Sequence, residues 1–358
     1  MIRTFQPIGQ GAFYTEQFND FTIVYDCGSK NESLIKKEIK SVFEKGEDIE
    51  AVFISHLHSD HINGLKFLLE FCNVKRVLMP LLTENEKIQL LIQNEIIQKG
   101  ISPFLENLIE TQNIENVTVV LVPETESDTE IDFSQEPNQI DGNLTSKAFK
   151  TNPKLSHSNI LDWVFIPFNF RQTQRKNDFI AELAKQKITF KNISEFKKQW
   201  QQNKNKIIKI FKSVPGSMNT NSMTLYSGPE SNGKRFFHHF IESVHFHPFY
   251  RHHNLAGCLY FGDYEAKGTQ KWSQFNNYYE KYWGIVGTVQ IPHHGSRHNY
   301  NREINKGNPK LSIISSGIKN TYRHPHASTL KYIILDYGLP LIVSENVGSR
   351  IMVEIHGI

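Results

Sequence analysis

A layered α/β fold is what this sequence predicts, arranged as a single domain over residues 1–358 with insertions at about 124–150 and 171–213. Three observations carry the prediction. Short, almost wholly apolar runs such as AVFI (51–54) and LSIIS (311–315) have the composition of central strands buried on both faces. Other stretches repeat their apolar residues at helical spacing, as Ile62, Leu65, Leu68, Leu69 and Cys72 do. No segment repeats at a fixed period, which excludes a solenoid or a propeller.

Taken in order, FYTEQF and FTIVYD flank the turn-forming Asn19 and Asp20 and read as a hairpin. A helix is expected over 34–44, then the strand AVFI, which runs directly into SHLHSDH. A helix follows His61, then the strand VKRVLMP, an amphipathic helix over 84–99 and the strand VTVVLVP. Residues 124–141 are acidic and turn-rich, as an exposed loop or small appendage would be. After the strand WVFIPF, residues 171–212 turn helical and basic, with twelve Lys or Arg against three acids, a local balance of +9. The remainder alternates strands and loops: MTLYSG, GCLYFGD, GTVQIPHHG, LSIISSG, LIVSEN and RIMVEI.

Composition narrows the function. The net charge of +3 gives no global pull toward a polyanion, so any electrostatic recognition must be local. Cys27, Cys72 and Cys258 form no CxxC pair and no disulfide framework, which suits a reducing compartment. The start MIRTFQPIGQG has no basic and apolar leader, and no run approaches the roughly 20 apolar residues of a membrane span. A cytoplasmic protein without a membrane part is expected, and any metal must be held by His and carboxylates.

Such donors are concentrated at one point. His56, His58, Asp60 and His61 lie within six residues at the junction of a buried strand and a helix. On an extended backbone alternate residues face one side, so His56 and His58 share a direction while Asp60 and His61 turn toward a neighbouring position. Imidazole nitrogens and Asp oxygens suit zinc, and two adjacent ions fit this spacing.

HLHSDHINGL matches the HxHxDHxxG motif of the metallo-β-lactamase superfamily, which the chain therefore resembles. Further segments resemble, in order, the hydrolase domain of the DNA-uptake channel protein ComEC. IGQGAFY is similar to its GQGD start, with Ala12 where that family has Asp. YDCGS resembles IDxG, NTNSMTLY resembles NDNSLVL, and LYFGDYEAKG resembles LLTGDAE. VQIPHHGSRHN is similar to LKVPHHGSxxS, and SGIKNTYRHPHASTL to SxGxxNxYGHPxxxxL.

The resemblance implies an αββα sandwich and a site for two divalent metal ions, zinc or manganese. It makes Asp263 the carboxylate bridging the ions and Asp26 the partner of a metal-bound histidine. Of His293 and His294, one would complete the metal set and the other would act on the leaving group. His293 is assigned to the metal and His294 to catalysis, beside Asp60, with the order within the pair left open. His324 is expected to contact a substrate phosphate or donate a proton. Two features depart from the superfamily: NTNS carries no ligand His, and six histidines (238, 239, 245, 247, 252 and 253) lie in an apparent insertion before Asp263.

Function follows as a metal-dependent hydrolase, a phosphodiesterase or nuclease that acts on nucleic acid or a nucleotide through a metal-activated hydroxide. The basic segment would hold a phosphate backbone. Its aromatic residues Phe190, Phe196, Trp200 and Phe211 are expected to pack against the core rather than stack on bases. The alternatives are a small-molecule ester or lactone hydrolase and a weakly active sensor or interaction module.

Overall fold

The central strands of this chain bury both faces, and the alternation of their side chains sets the layers. The computed structural model describes residues 1–98, 101–124, 128–132, 147–148, 152–156, 163–170, 174–215, 222–230, 236–242, 250–251 and 255–357. One sheet contains β1 (Ile2–Phe5), β2 (Gly11–Gln17), β3 (Thr22–Ser29), β4 (Ala51–Phe53), β5 (Arg76–Pro80) and β6 (Thr118–Val122). The other contains β7 (Trp163–Phe168), β8 (Thr224–Pro229), β9 (Gly257–Tyr260), β10 (Val286–Gln290), β11 (Leu311–Ser315) and β12 (Leu339–Val343). The last strand, β13 (Ile351–Gly357), returns to the first sheet and pairs antiparallel with β1.

Side chains on a strand alternate between faces. Ile23, Tyr25, Ala51, Phe53, Leu78, Val120 and Val122 enter a core shared with Phe165, Leu225, Cys258, Tyr260 and Ile313 of the second sheet. Their neighbours Val24, Val52, Ile54, Val77, Met79, Val119 and Leu121 point to the other side, into a core roofed by helices. Those helices are α1 (Glu32–Val42), α2 (Ser59–Ile62), α3 (Leu65–Phe71), α4 (Glu84–Gln98) and α5 (Pro103–Thr111). On the second sheet Val164, Ile166, Leu259 and Ile314 bury a third core whose outer residues include Phe275 and Ile333. Four layers result, helices on sheet on sheet on helices, as the expected αββα sandwich requires.

Between the sheets lies a buried ion pair. Arg3 Nε donates to Glu16 Oε1 at 2.6 Å, with the two side chains 0% and 1% exposed. Tyr260 and Ser227 of the second sheet donate to the same carboxylate at 2.8 and 2.5 Å.

The basic segment forms two helices, α6 (Gln174–Lys185) and α7 (Ile193–Ser213), the second capped by Asn192 accepting from Glu195 N. Phe179, Leu183, Phe196, Ile207 and Phe211 enter the core that α1–α5 roof, and Phe190 and Trp200 pack against it. The aromatic residues thus serve packing, as expected. Lys197 pairs with Glu106 and Glu110, and Lys204 with Glu95, tying α7 to α4 and α5. Helix α5 was not legible as a helix in the hydrophobic pattern, although Ser102 at its N-cap followed by Pro103 is a start signal. Most of the acidic stretch 124–141 and Arg171 lie outside the described residues. Among the described residues no helix is long and apolar enough to cross a membrane.

Candidate metal centre

The site forms where parallel strands end. β3, β4 and β5 run parallel, as do β9, β10, β11 and β12, and each candidate residue leaves from the carboxyl end of one of these. Open α/β sheets bind ligands at that edge. Asp26 lies within β3, His56 to His61 follow β4, Asp263 follows β9, His293 and His294 follow β10, and His324 follows β11.

Two groups of donors result. His56, His58 and Asp263 place one ligand atom each within 4.8 Å of one another, and Asp60, His61 and His294 do the same. Asp263 faces both groups. Its Oδ2 lies 3.7 Å from His56 Nε2 and 3.6 Å from His293 Nε2, while Oδ1 lies 3.3 Å from His61 Nε2 and 3.9 Å from His294 Nε2. His294 Nε2 is also 3.7 Å from Asp60 Oδ2. The structure therefore seats His294 among the donors with Asp60 and His61, and His293 against the opposite oxygen of Asp263.

The donor set fits divalent cations. Nε2 of His56, His58 and His294 is buried without a hydrogen-bond partner among the described residues. An unsatisfied buried polar atom costs about 1–3 kcal/mol, so three aimed at carboxylates call for a cation. Imidazole and carboxylate donors without thiolate suit zinc or manganese.

Around these donors the chain is braced. Asp26 Oδ2 takes His61 Nδ1 at 2.7 Å, and its two oxygens accept Ser55 N and Ser55 Oγ, each at 2.7 Å. Ser55 Oγ also lies 2.9 Å from His56 Nδ1. One carboxylate thus aims two imidazoles, leaving their Nε2 atoms toward Asp263. Gln290 Oε1 accepts from Phe261 N and Gly262 N, and its Nε2 donates to Ile291 O, which locks the Gly-Asp turn to the His-His turn. Asp263 itself is held by Ser222 Oγ accepting from its N–H and by Asn299 donating to its carbonyl.

Ser55, Gln290, Ser222 and Asn299 lie within or beside the quoted motifs, but the sequence assigned none of them a role. The available signal for Gln290 was an amide closing an otherwise apolar strand.

Charge follows from burial and neighbours. Burial lowers His56 and His58 below the usual imidazole range and keeps them neutral, as ligands must be. His61 goes the other way, because Asp263 and Asp26 outweigh its burial. Burial opposes ionisation of Asp60 and Asp263, but His294 and His61 hold the first, and His293 and His61 the second, below the usual carboxylate range. His324, 5.6 Å from the His293 ring, is pushed down to about 3 by burial and by the neighbouring histidines.

Backbone strain is stored here too. Asp26, His293 and His294 have φ of 55°, 49° and 55°, the left-handed region that costs a non-glycine residue about 1–2 kcal/mol. Gly28 answers a different need: a Cβ there would come within 2.5 Å of the His61 carbonyl carbon and Ile62 N. The HSDH turn packs directly on β3, so Gly28→Ala is expected to lower the melting temperature and the metal content together. Full metal content in that variant would show that the turn can move aside.

His245, His247, His252 and His253, the side chains of His238 and His239, and residues 219–221 of NTNS lie outside the described residues. Ala12 is buried in the core between the sheets.

Compared with known proteins, residues 14–135 match the model of the metallo-beta-lactamase superfamily. No curated protein matches the chain. Among solved structures, human tRNase Z, short form (ELAC1), is similar at 10% identity and a TM-score of 0.39, over 96% of this chain and 92% of that one. With the four-layer architecture and the edge that gathers the histidines, the superfamily match identifies the fold of this chain as the metallo-β-lactamase fold.

Proposed function

We propose that the chain is a metal-dependent phosphodiesterase acting on nucleic acid or nucleotides. A metal-dependent hydrolase is the coarser reading that the superfamily match and the donor groups support. The observation that carries it is Asp263, one buried carboxylate with an oxygen toward each of two histidine groups. His56, His58 and Asp263 would hold one ion, and Asp60, His61, His294 and Asp263 the other, with His293 beside the first. When bound, two such ions, zinc or manganese, supply a nucleophile at neutral pH and positive charge for the developing oxyanion.

The chain's own groups orient and stabilise. Asp26 and Ser55 hold the imidazoles, and Gln290 holds the two turns in register. His324 stacks on Tyr322 at 5.7 Å and stands 6.3 Å from His294, a position suited to contacting a substrate phosphate. The backbone N–H of Arg297 donates to His326, whose ring is 5.0 Å from that of His324, and burial and the Arg297 charge hold that imidazole below its usual range, so a cation stands beside the same edge. An anionic substrate suits this edge better than a neutral ester. The ordered resemblance to the ComEC hydrolase domain supports the same substrate class. Three free, buried cysteines suit the cytoplasm.

Metal analysis and turnover of bis(p-nitrophenyl) phosphate test the reading. Bound zinc or manganese, with turnover abolished by a chelator and restored by metal, is expected. Well-folded protein without metal, or activity indifferent to chelation, would overturn it. Hydrolysis of lactones but of no phosphodiester would leave the metal chemistry and overturn the substrate.

The basic helix α7 refines the nucleic-acid part. Lys197 and Lys204 are engaged by acids, whereas Lys198, Lys206, Lys209 and Lys212 are exposed along one side of the helix. Reversing these four charges is expected to weaken single-stranded DNA binding and to lower its log–log salt slope by about 0.7 for each phosphate no longer neutralised. Small-diester turnover should persist. Equal losses on both substrates would assign α7 to the fold alone.

A further inference from the structure

Beside the metal centre lies a second concavity that the hydrolytic chemistry does not use. Its volume is about 280 Å³, and it is walled by the loop before β2, the end of β3 with the start of α1, and the segment after β11. Small-molecule sites usually run from about 300 to 1,000 Å³, so this pocket suits one unit of a substrate. We infer that it is a subsite for a nucleotide-sized phosphate ester. The inference rests on the phosphodiesterase reading and names the part of the substrate that would lie next to the scissile bond.

Gln10 is the first indication. It is 7% exposed, lines the pocket and carries an amide oxygen with no hydrogen-bond partner among the described residues. Such an oxygen asks for a hydroxyl or N–H donor. Its backbone is fixed, because Gln10 O accepts from Lys30 N at 2.8 Å. The cost of leaving the amide unpaired is relieved by a ligand that donates.

Charge is the second. Lys30 and Lys319 both line the pocket, and both are exposed and can turn toward an anion. Lys30 Nζ lies 4.1 Å from the Tyr322 ring centre, which ties it to the segment after β11. The acid in the wall, Glu345, is engaged through Oε2 by Ile318 N at 2.9 Å. Helix α1 starts at the same wall, with Asn31 as its N-cap, and adds the positive end of its dipole.

Position is the third. Tyr322, which carries Lys30, stacks on His324, which reaches His293 and His294. Behind the pocket, Gly11 lies so close to the metal-binding turn that a Cβ on it would stand 2.7 Å from Asp60 O. The loop that carries Gln10 is therefore packed against the metal-binding turn. An anion for two lysines together with a donor for Gln10 describes a phosphorylated sugar or nucleotide, and inorganic phosphate at neutral pH meets the first demand far better than the second.

Calorimetric titration of the metal-loaded chain with AMP, UMP and inorganic phosphate tests this, in the wild type and in K30M/K319M. Both nucleotides, or one of them, are expected to bind at least tenfold tighter than phosphate, and the double variant to lose at least tenfold of that affinity with metal content unchanged. In kinetics the variant should lose tenfold more kcat/KM on thymidine 3′-phosphate 5′-(p-nitrophenyl phosphate), which carries a second phosphate and a nucleoside beside the scissile diester, than on bis(p-nitrophenyl) phosphate, which carries neither. Q10L should reduce the preference for nucleotide over phosphate without losing phosphate binding. Nucleotide binding that ignores the lysines, no binding, or phosphate binding as tightly as nucleotide would overturn the subsite. Equal kinetic losses on both esters would overturn it as well. Lysine-dependent nucleotide binding by a chain that hydrolyses no diester would sink the phosphodiesterase reading and leave the subsite standing.

Discussion

Asp263→Asn is expected to reduce metal content and to lower kcat more than the roughly 10–100-fold typical of residues that merely orient a ligand. Asparagine keeps the shape but presents a neutral amide, whose NH2 would face a row of imidazole nitrogens. Each carboxylate oxygen now faces two histidines, so the change strikes both donor groups at once. The turn should survive, because Ser222 and Asn299 hold its backbone rather than its carboxylate. Elemental analysis with steady-state kinetics on the folded variant reads the outcome, and undiminished metal with near wild-type rate would remove Asp263 from the site.

Three companions sort the remaining roles. His294→Ala should lose metal as well as rate, since it stands with Asp60 and His61. His293→Ala should weaken metal on the opposite side of Asp263. His324→Ala should lose rate with metal retained, because a group that meets substrate acts on the transition state.

Glu16→Gln is expected to cost about 3–5 kcal/mol of stability, the usual penalty for breaking a fully buried ion pair from one side. Arg3 has no exposure, and its other side-chain hydrogen bonds reach Ala256 O and Ser227 O at 3.2 and 3.4 Å, both long. Without the carboxylate, a buried guanidinium stands between two sheets with only carbonyl oxygens to answer it. Tyr260 and Ser227 donate to different oxygens of Glu16, and glutamine keeps only one of them, so one of the two hydroxyls loses its acceptor in the same step. Urea unfolding measures the loss, and R3M/E16Q should recover part of it, because that pair removes the charge with its partner. A loss below about 1 kcal/mol in Glu16→Gln would mean that the sheets can open to water here.

What the sequence determined by itself was local. Strands of period two, helices of period 3.6 and the placing of HLHSDH at the end of AVFI all depend on neighbours within a few residues, which a linear reading contains. Helix α5 is absent from the sequence reading although Ser102-Pro103 is a start signal, because nine residues are too few for a helical period to stand out. The aromatic residues of the basic segment were expected to pack, and they do.

Only the tertiary structure decided which donors meet. His294 lies more than 230 positions from Asp60 and His61, and nothing in the spacing of His293 and His294 says which imidazole turns toward them. That choice belongs to two successive left-handed residues held by Gln290 and Gly262. The return of β13 to β1, the pairing of Lys197 and Lys204 with acids about 90 to 110 positions away, and the amide oxygen of Gln10, unpaired among the described residues, are of the same kind. Each depends on where the chain comes back to itself, and the energy that decides it comes from burying surfaces and charges that are remote in sequence.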